Sequence, residues 1–213
     1  MFVGHFVIAY VLIELFPQVP PLVFLLGVGF PDILWPILVF LKVEKASLNP
    51  DSALQKHVRF SSYPYSHSLV TSFVISGVIG LALAFAIDPI AGTFFVVASS
   101  SHWFLDTIVH VHDLPILGFG HDKKVGFGLW NYGRAAFVIE YIFYVVGTTL
   151  VIPFEFVVPL LVLGTAFHLL NANSFFGFTK TNPSKSINSY AALALIGFIA
   201  FSLIANFVLG GVV

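Results

Sequence analysis

The sequence predicts an all-α, polytopic membrane helix bundle of about seven transmembrane segments, and three observations carry that prediction. The chain has 213 residues, of which 58% are hydrophobic and only 9% charged, against about 25% charged in an ordinary soluble domain. Its mean hydropathy is +0.99. Its apolar residues come in long runs separated by short polar stretches, as bilayer-crossing helices require, because a helix satisfies its own backbone polar groups where no water can. Cysteine is absent, which removes disulfides and thiolate ligands and leaves His, Asp and Glu as the strong metal donors. A formal net charge of −1 gives no nucleic-acid signature.

Taken in order, residues 2–16 read as a first helix and not as a removed signal peptide, since neither a basic leader nor a small-residue cleavage site accompanies the apolar run. Residues 21–41 are long enough to cross, but Gly27, Gly29 and Phe30-Pro31-Asp32 predict a broken second helix, because proline lacks a donor and disfavours helical geometry before it. A polar stretch, 42–66, leads into Tyr63-Pro64-Tyr65-Ser66-His67-Ser68, where Ser66 or a neighbour is suited to cap a third helix over 67–87. Asp88-Pro89 makes a minimal turn, and a fourth helix covers 90–112. A glycine-rich loop, 113–133, precedes helices over 134–152 and 153–171; a polar loop, 173–186, precedes the last helix, 187–209. The whole of 1–213 reads as one integral-membrane domain, with its chemistry in 1–131 and additional helices in 134–213.

The cations orient this arrangement. If seven segments alternate, the loops 42–66, 113–133 and 173–186 share one side with the N-terminus, and these loops with their edges carry all nine Lys and Arg. The positive-inside bias then places the N-terminus in the cytoplasm and the C-terminus outside a cell (inner) membrane.

Within this frame one stretch stands out, Ser99–Leu114, reading SSSHWFLDTIVHVHDL. It sets His102, Asp106 and His110 four residues apart, on one helical face. An ionisable group inside a lipid-spanning segment is costly, on the order of 2.5–3.5 kcal/mol for Asp even on the lenient insertion scale, so Asp106 calls for compensation. The predicted topology brings His5, Asp32, His67, His102 and the residues up to Asp113 to the same depth. A set of three His and two Asp suits Zn²⁺, Mn²⁺ or iron better than Mg²⁺ or Ca²⁺, which prefer oxygen shells.

These residues also carry a resemblance. Gly4-His5, Pro31-Asp32, Tyr63-Pro64-Tyr65-Ser66-His67-Ser68 and Ser101-His102-Trp103-Phe104-Leu105-Asp106 resemble the spaced H…PD…HS…HxxxD pattern of the YdjM-like family of membrane-bound metal-dependent hydrolases. The likeness spans roughly residues 4–131. It implies a metal site of His5, Asp32, His67, His102 and Asp106, and a hydrolytic reaction at the cytoplasmic membrane face. The chain departs from the pattern where an aromatic insert separates His57 and Arg59 from His67. Under this reading a divalent metal, Zn first, is the cofactor, and His110 and Asp113 supply general-base or ligand-orienting roles. Arg59, Lys123 and Lys124, with Lys56, are placed to hold an anionic head group, which makes a lipid phosphate ester the expected substrate.

Each residue has an ordinary role beside this one. His5 and His67 can serve as helix-start caps, Asp32 as an N-cap, His102 and Asp106 as an internal hydrogen bond, and Glu140 and His168 as packed polar groups. Two other functions stay open at this stage: a small proton- or cation-translocating transporter, since broken helices and buried ionisable groups are transporter features, or a structural protein whose bundle a metal staples.

Overall fold

The computed structural model describes residues 1–210; the last three residues of the expected domain lie outside the described residues. The described residues form eight α-helices: α1 (His5–Leu15), α2 (Pro21–Phe40), α3 (Leu69–Ala86), α4 (Pro89–Val109), α5 (Arg134–Val151), α6 (Phe154–Leu170), the single-turn α7 (Asn173–Phe176) and α8 (Ile187–Val208). Two small antiparallel ribbons sit in the loops, β1 (Lys45–Ser47) with β2 (Arg59–Ser62) and β3 (Leu114–Pro115) with β4 (Lys124–Val125). The all-α class is thus observed. Four helices, α2, α3, α5 and α8, are long and apolar enough to cross a membrane, while α1 and α6 are shorter apolar helices. The polar run Ser99 to His102 and Asp106 dilutes the hydropathy of α4, although its 21 residues give it the length.

The expected break in the second helix is absent. α2 runs continuously from Pro21 to Phe40 with Pro31 and Pro36 inside it. Proline removes a helical donor and crowds the carbonyl four residues back; for Pro31 that residue is Gly27. Packing from α1, α4 and α8 on three sides holds the helix together, as neighbouring helices do for prolines inside membranes.

Caps written in the sequence set the other boundaries. Asp88 accepts the N–H groups of Ile90 and Ala91 at 2.7 and 3.0 Å, with Pro89 in the first turn of α4. Ser68, two residues past the Ser66 favoured by the sequence, caps α3 by accepting Thr71 N–H at 3.1 Å. α4 ends at Val109, three residues earlier than its apolar pattern suggests, because the following loop folds back over it. Phe127 and Gly128 donate to the carbonyls of Thr107 and His110 at 2.7 and 2.8 Å, occupying acceptors that a helix end leaves unpaired. Gly126, with φ +143°, permits that approach, since a Cβ there would strike the His110 carbonyl.

The main core lies among α1, α2, α4, α6 and α8, around Phe6, Tyr10, Phe24, Leu25, Phe95 and Phe201. α3 is held to α4 by a close crossing in which Gly80 and Gly92 face each other's backbone. The outward face of α3 is apolar, with Phe85 92% exposed, as suits a lipid-facing helix. The three loops that carry the cations gather at one end of the bundle. Asn182 bonds the Pro50 and Ser52 carbonyls at 3.0 and 3.2 Å, and Lys124 stands 5.9 Å over the Tyr63 ring. The opposite end is closed by short turns, 16–20, 87–88 and 152–153.

Candidate metal centre

At the loop end, α1, α2, α4 and the segment before α3 bring His5, Asp32, His67, His102 and Asp106 together. All but Asp32 are buried. The orientation of each histidine follows from what its Nδ1 touches. His102 Nδ1 lies 2.7 Å from the Val28 carbonyl of α2; a carbonyl only accepts, so Nδ1 carries the hydrogen and, in the neutral ring, Nε2 presents its lone pair. Ser66 donates its hydroxyl to Glu44 Oε2 at 2.6 Å and accepts from His67 Nδ1 at 2.8 Å, which fixes the same tautomer. Glu44, buried in the loop after α2, is itself held by the N–H groups of Tyr65 and Ser66 at 2.7 and 2.9 Å. His110, the cap residue of α4, donates from Nδ1 to Asp113 Oδ1 at 2.9 Å.

Three imidazoles therefore turn their Nε2 atoms inward, towards two carboxylates. His67 Nε2 lies 3.2 Å from Asp32 Oδ1 and 3.7 Å from Asp106 Oδ2; His102 Nε2 lies 3.5 Å from Asp32 Oδ2 and 3.2 Å from Asp106 Oδ2. His110 Nε2 reaches Asp106 Oδ2 at 3.4 Å. In the neutral rings of His67 and His102, lone pairs aimed at carboxylate oxygens repel, and a shared cation would turn that repulsion into attraction. The spacing fits one. Metal–donor bonds of about 2.0–2.2 Å separate neighbouring ligand atoms by about 3.0–3.6 Å in tetrahedral or octahedral shells. Three of the four contacts joining Asp32, His67, Asp106 and His102 into a ring are of that length, and the fourth, His67 to Asp106 at 3.7 Å, is just beyond it. The donor set, two imidazoles and two carboxylates, is the kind that holds zinc, manganese or iron.

His5 approaches from α1. Its ring stacks on that of His102, with centroids 3.7 Å apart and 3° between planes, and its Nε2 lies 3.2 Å from Asp106 Oδ1. The residues form two overlapping triads, His5–His102–Asp106 and Asp32–His67–His102. Val28 occupies Nδ1 of His102, so that residue has one nitrogen to give and the triads describe one centre. Nε2 of His5 and Nε2 of His102, each 3.2 Å from an Asp106 oxygen, are buried and make no hydrogen bond of ordinary geometry among the described residues, which leaves them available to an ion. The α-amino group of Met1 lies 2.6 Å from Asp106 Oδ1. Burial would lower its pKa, but Asp106 and then Glu140 outweigh that and raise it. Glu140 also accepts the N–H groups of Phe2 and Gly4, so it steadies the entry to α1.

Outside the helices, burial would lower the pKa of His110, yet the Asp106 carboxylate and the bond to Asp113 lift it to about 9. Burial alone would raise Asp113; the His110 hydrogen bond and charge hold it below the usual carboxylate range. The Tyr63 phenol, 3.4 Å from His110 Nδ1, is pushed well above its ordinary value by burial and by Asp113.

A cavity of about 530 Å³ opens onto Asp32, His67, Asp106 and His110. The cations expected to hold a head group, Arg59, Lys123 and Lys124, line neither this cavity nor the adjoining cleft of about 270 Å³. Arg59 is in the β1–β2 ribbon opposite Ser47, and Lys124 is drawn to the Tyr63 ring. The cleft is bordered instead by Lys56 and Arg134, the latter stacked 5.7 Å from the Phe176 ring. His57 pairs with Ser52 at 2.6 Å in an exposed turn away from the centre, and His168 bonds the Phe137 carbonyl at 3.0 Å. Sequence reasoning missed Glu44, the tethering role of Ser66, and Arg134. A glutamate among lysines reads as a solvated loop residue, and no local pattern shows that it is buried under Ser66. Comparison of the chain with protein-family models, curated proteins and solved structures finds no match.

Proposed function

We propose that this protein is a membrane-bound metal-dependent hydrolase acting on an ester of a membrane lipid, a phosphate ester first, at the face that carries the basic loops. The observation that carries the reading is the convergence of three Nδ1-tethered histidines on Asp32 and Asp106 at the wall of an open cavity. Asp32, His67, His102 and Asp106 are the residues to hold one divalent ion, with His5 against the far oxygen of Asp106. Zn²⁺ suits the donors; Mn²⁺ and iron suit them too, and ions that take more than four ligands keep a coordination position open beside four protein donors. Such an ion, when bound, supplies Lewis acidity and lowers the pKa of water from 15.7 towards 7.

The chain's own groups do the rest. His110 borders the cavity, and with its pKa lifted to about 9 its Nε2–H is placed to give a proton to the leaving oxygen, acting as the general acid. Asp113 accepts the His110 Nδ1–H at 2.9 Å and so fixes the ring angle that points Nε2–H at the cavity, as carboxylate partners of catalytic histidines do. The apolar walls limit water at the reacting bond. The opening of the cavity supports an enzyme over a closed metal staple. The crowding of ionisable residues at the loop end supports it over a route across the bundle. The positive-inside bias supports a cytoplasmic position for that end.

The test is elemental analysis of the purified protein beside His102→Ala and Asp106→Ala, followed by hydrolysis assays on phosphomonoester, phosphodiester and carboxylester lipids. Stoichiometric metal in the wild type, its loss in both variants and metal-dependent turnover are expected. Metal content unchanged in both variants, or no metal in the wild type, removes the metal centre; metal without turnover on any lipid class removes the hydrolase.

A further inference from the structure

The cavity has a second mouth that the hydrolytic centre alone does not explain. It extends along α8 from Tyr190 to Ala200, ten residues or about 15 Å at the helical rise, which is about half of a 30 Å hydrocarbon core. Its length matches one leaflet. Three residues that line it, Leu170 at the end of α6 and Leu193 and Ile196 on α8, are also 80%, 63% and 63% exposed on the outside of the bundle. The cavity therefore opens sideways between α6 and α8, onto the surface that faces lipid, while Phe198 on its inner wall is only 5% exposed.

Gly197 keeps this passage wide. Gly27, Gly80 and Gly92 lie where an added Cβ would collide with a neighbouring helix, whereas a Cβ on Gly197 would meet only the Phe2 ring, at 3.5 and 3.9 Å. Neither a left-handed backbone nor a tight helix crossing requires glycine there, and helix propensity disfavours it. What the missing side chain leaves is room. At the loop end the cavity shares Trp130, Ser174 and Phe175 with the cleft that Lys56 and Arg134 border. An apolar slot one leaflet deep, a polar centre at its head and two cations beyond it have the order of parts of an anionic lipid.

We propose that the centre takes an anionic lipid from the adjacent leaflet, its chain lying between α6 and α8 against Phe167, Gly197 and Phe198 and its charged head against Lys56 and Arg134. That this lipid is a substrate rests on the hydrolytic reading; that it binds does not.

The test uses the full chain in phosphatidylcholine vesicles containing phosphatidylglycerol with a diazirine on one acyl chain, irradiated and mapped by mass spectrometry. Adducts are expected on the inner residues Phe198 and Phe167 as well as on Phe85, which faces annular lipid. Gly197→Phe should lose the inner adducts while keeping those on Phe85 and its metal content. Carrying the diazirine on phosphatidylcholine instead should weaken inner labelling, and Lys56→Ala with Arg134→Ala should erase that preference. Labelling of Phe85 with none on Phe198 or Phe167 in the wild type overturns the proposal without any variant. A dimer found in the same vesicles would then assign the gap to a second copy. Equal inner labelling by both lipids overturns the anionic head. Inner labelling by a protein that hydrolyses no lipid leaves the binding site standing and removes the enzyme.

Discussion

Replacing Ser66 with alanine tests the centre through a residue that touches no metal. Its hydroxyl accepts His67 Nδ1–H at 2.8 Å and donates to Glu44 at 2.6 Å, so Ser66→Ala deletes the link that holds the His67 tautomer and ring angle. The His67 N–H is left facing a methyl group in a fully buried position, an unpaired donor worth about 1–3 kcal/mol. Outer partners of this kind contribute about 10–100-fold to metal affinity, or about 1.4–2.7 kcal/mol, which lies within the range for the unpaired donor. Zinc affinity is measured by competition with a chromophoric chelator in detergent, with Ser68→Ala as the control. Ser68 is the neighbouring cap of α3, and its loss costs about 1 kcal/mol of helix stability without touching His67. The expected result is a 10–100-fold rise in Kd for Ser66→Ala and none for Ser68→Ala. Equal affinities in Ser66→Ala and wild type would refute the relay, and equal losses in both variants would reduce it to general destabilisation.

Three further outcomes are expected. Asp113→Ala should keep its metal by elemental analysis while lipid hydrolysis falls about 10²–10⁴-fold, the usual contribution of a positioned acid–base group; loss of metal would make Asp113 part of the ligand shell instead. Adding metal to chelator-stripped protein at a hundred times its Kd should stabilise the fold by about 2.7 kcal/mol, read as a higher midpoint in thermal unfolding, and His102→Ala should show no such rise. Gly92→Ala should destabilise by about 1–3 kcal/mol through overpacking of the α3–α4 crossing. In contrast, Gly77→Ala, with no atom within 4 Å of the added Cβ, should be neutral or stabilising by up to about 1 kcal/mol; thermal unfolding of the pair separates crossing from propensity.

Much of the architecture was legible because membrane sequences declare it locally. The apolar runs gave helix positions to within a few residues, and the confinement of the cations to three loops anticipated that those loops would meet at one end. Asp32, His67, His102 and Asp106 could be grouped because ionisable groups in apolar helices stand out. What escaped depended on tertiary packing. α2 stays whole through Pro31 and Pro36 because three helices press on it, which no local rule records. α4 stops at Val109 because Phe127 and Gly128, some twenty residues on, bond its last carbonyls. Glu44 acts through a backbone and a serine that only the fold brings to it. Lys56 and Arg134 border the cleft beside the cavity, while Lys124 lies over the Tyr63 ring, placements that depend on loop packing. Seven apolar segments became four helices that meet the length and composition of a span, since α1 and α6 are short and α4 carries the polar stripe.

The turn lengths described above bear on biogenesis. α3 and α4 are joined by two residues and α1 and α2 by five, so each pair can form as a local hairpin with little loop entropy to overcome. One hairpin carries His5 and Asp32, and the other, with the two residues just before it, carries His67, His102 and Asp106. Neither alone holds the full ring of donors, and ligand sets divided in this way make metal affinity part of the free energy of docking. If the centre holds an ion as proposed, its retention would report that the two halves have met, and a chain halted before that point would not retain metal.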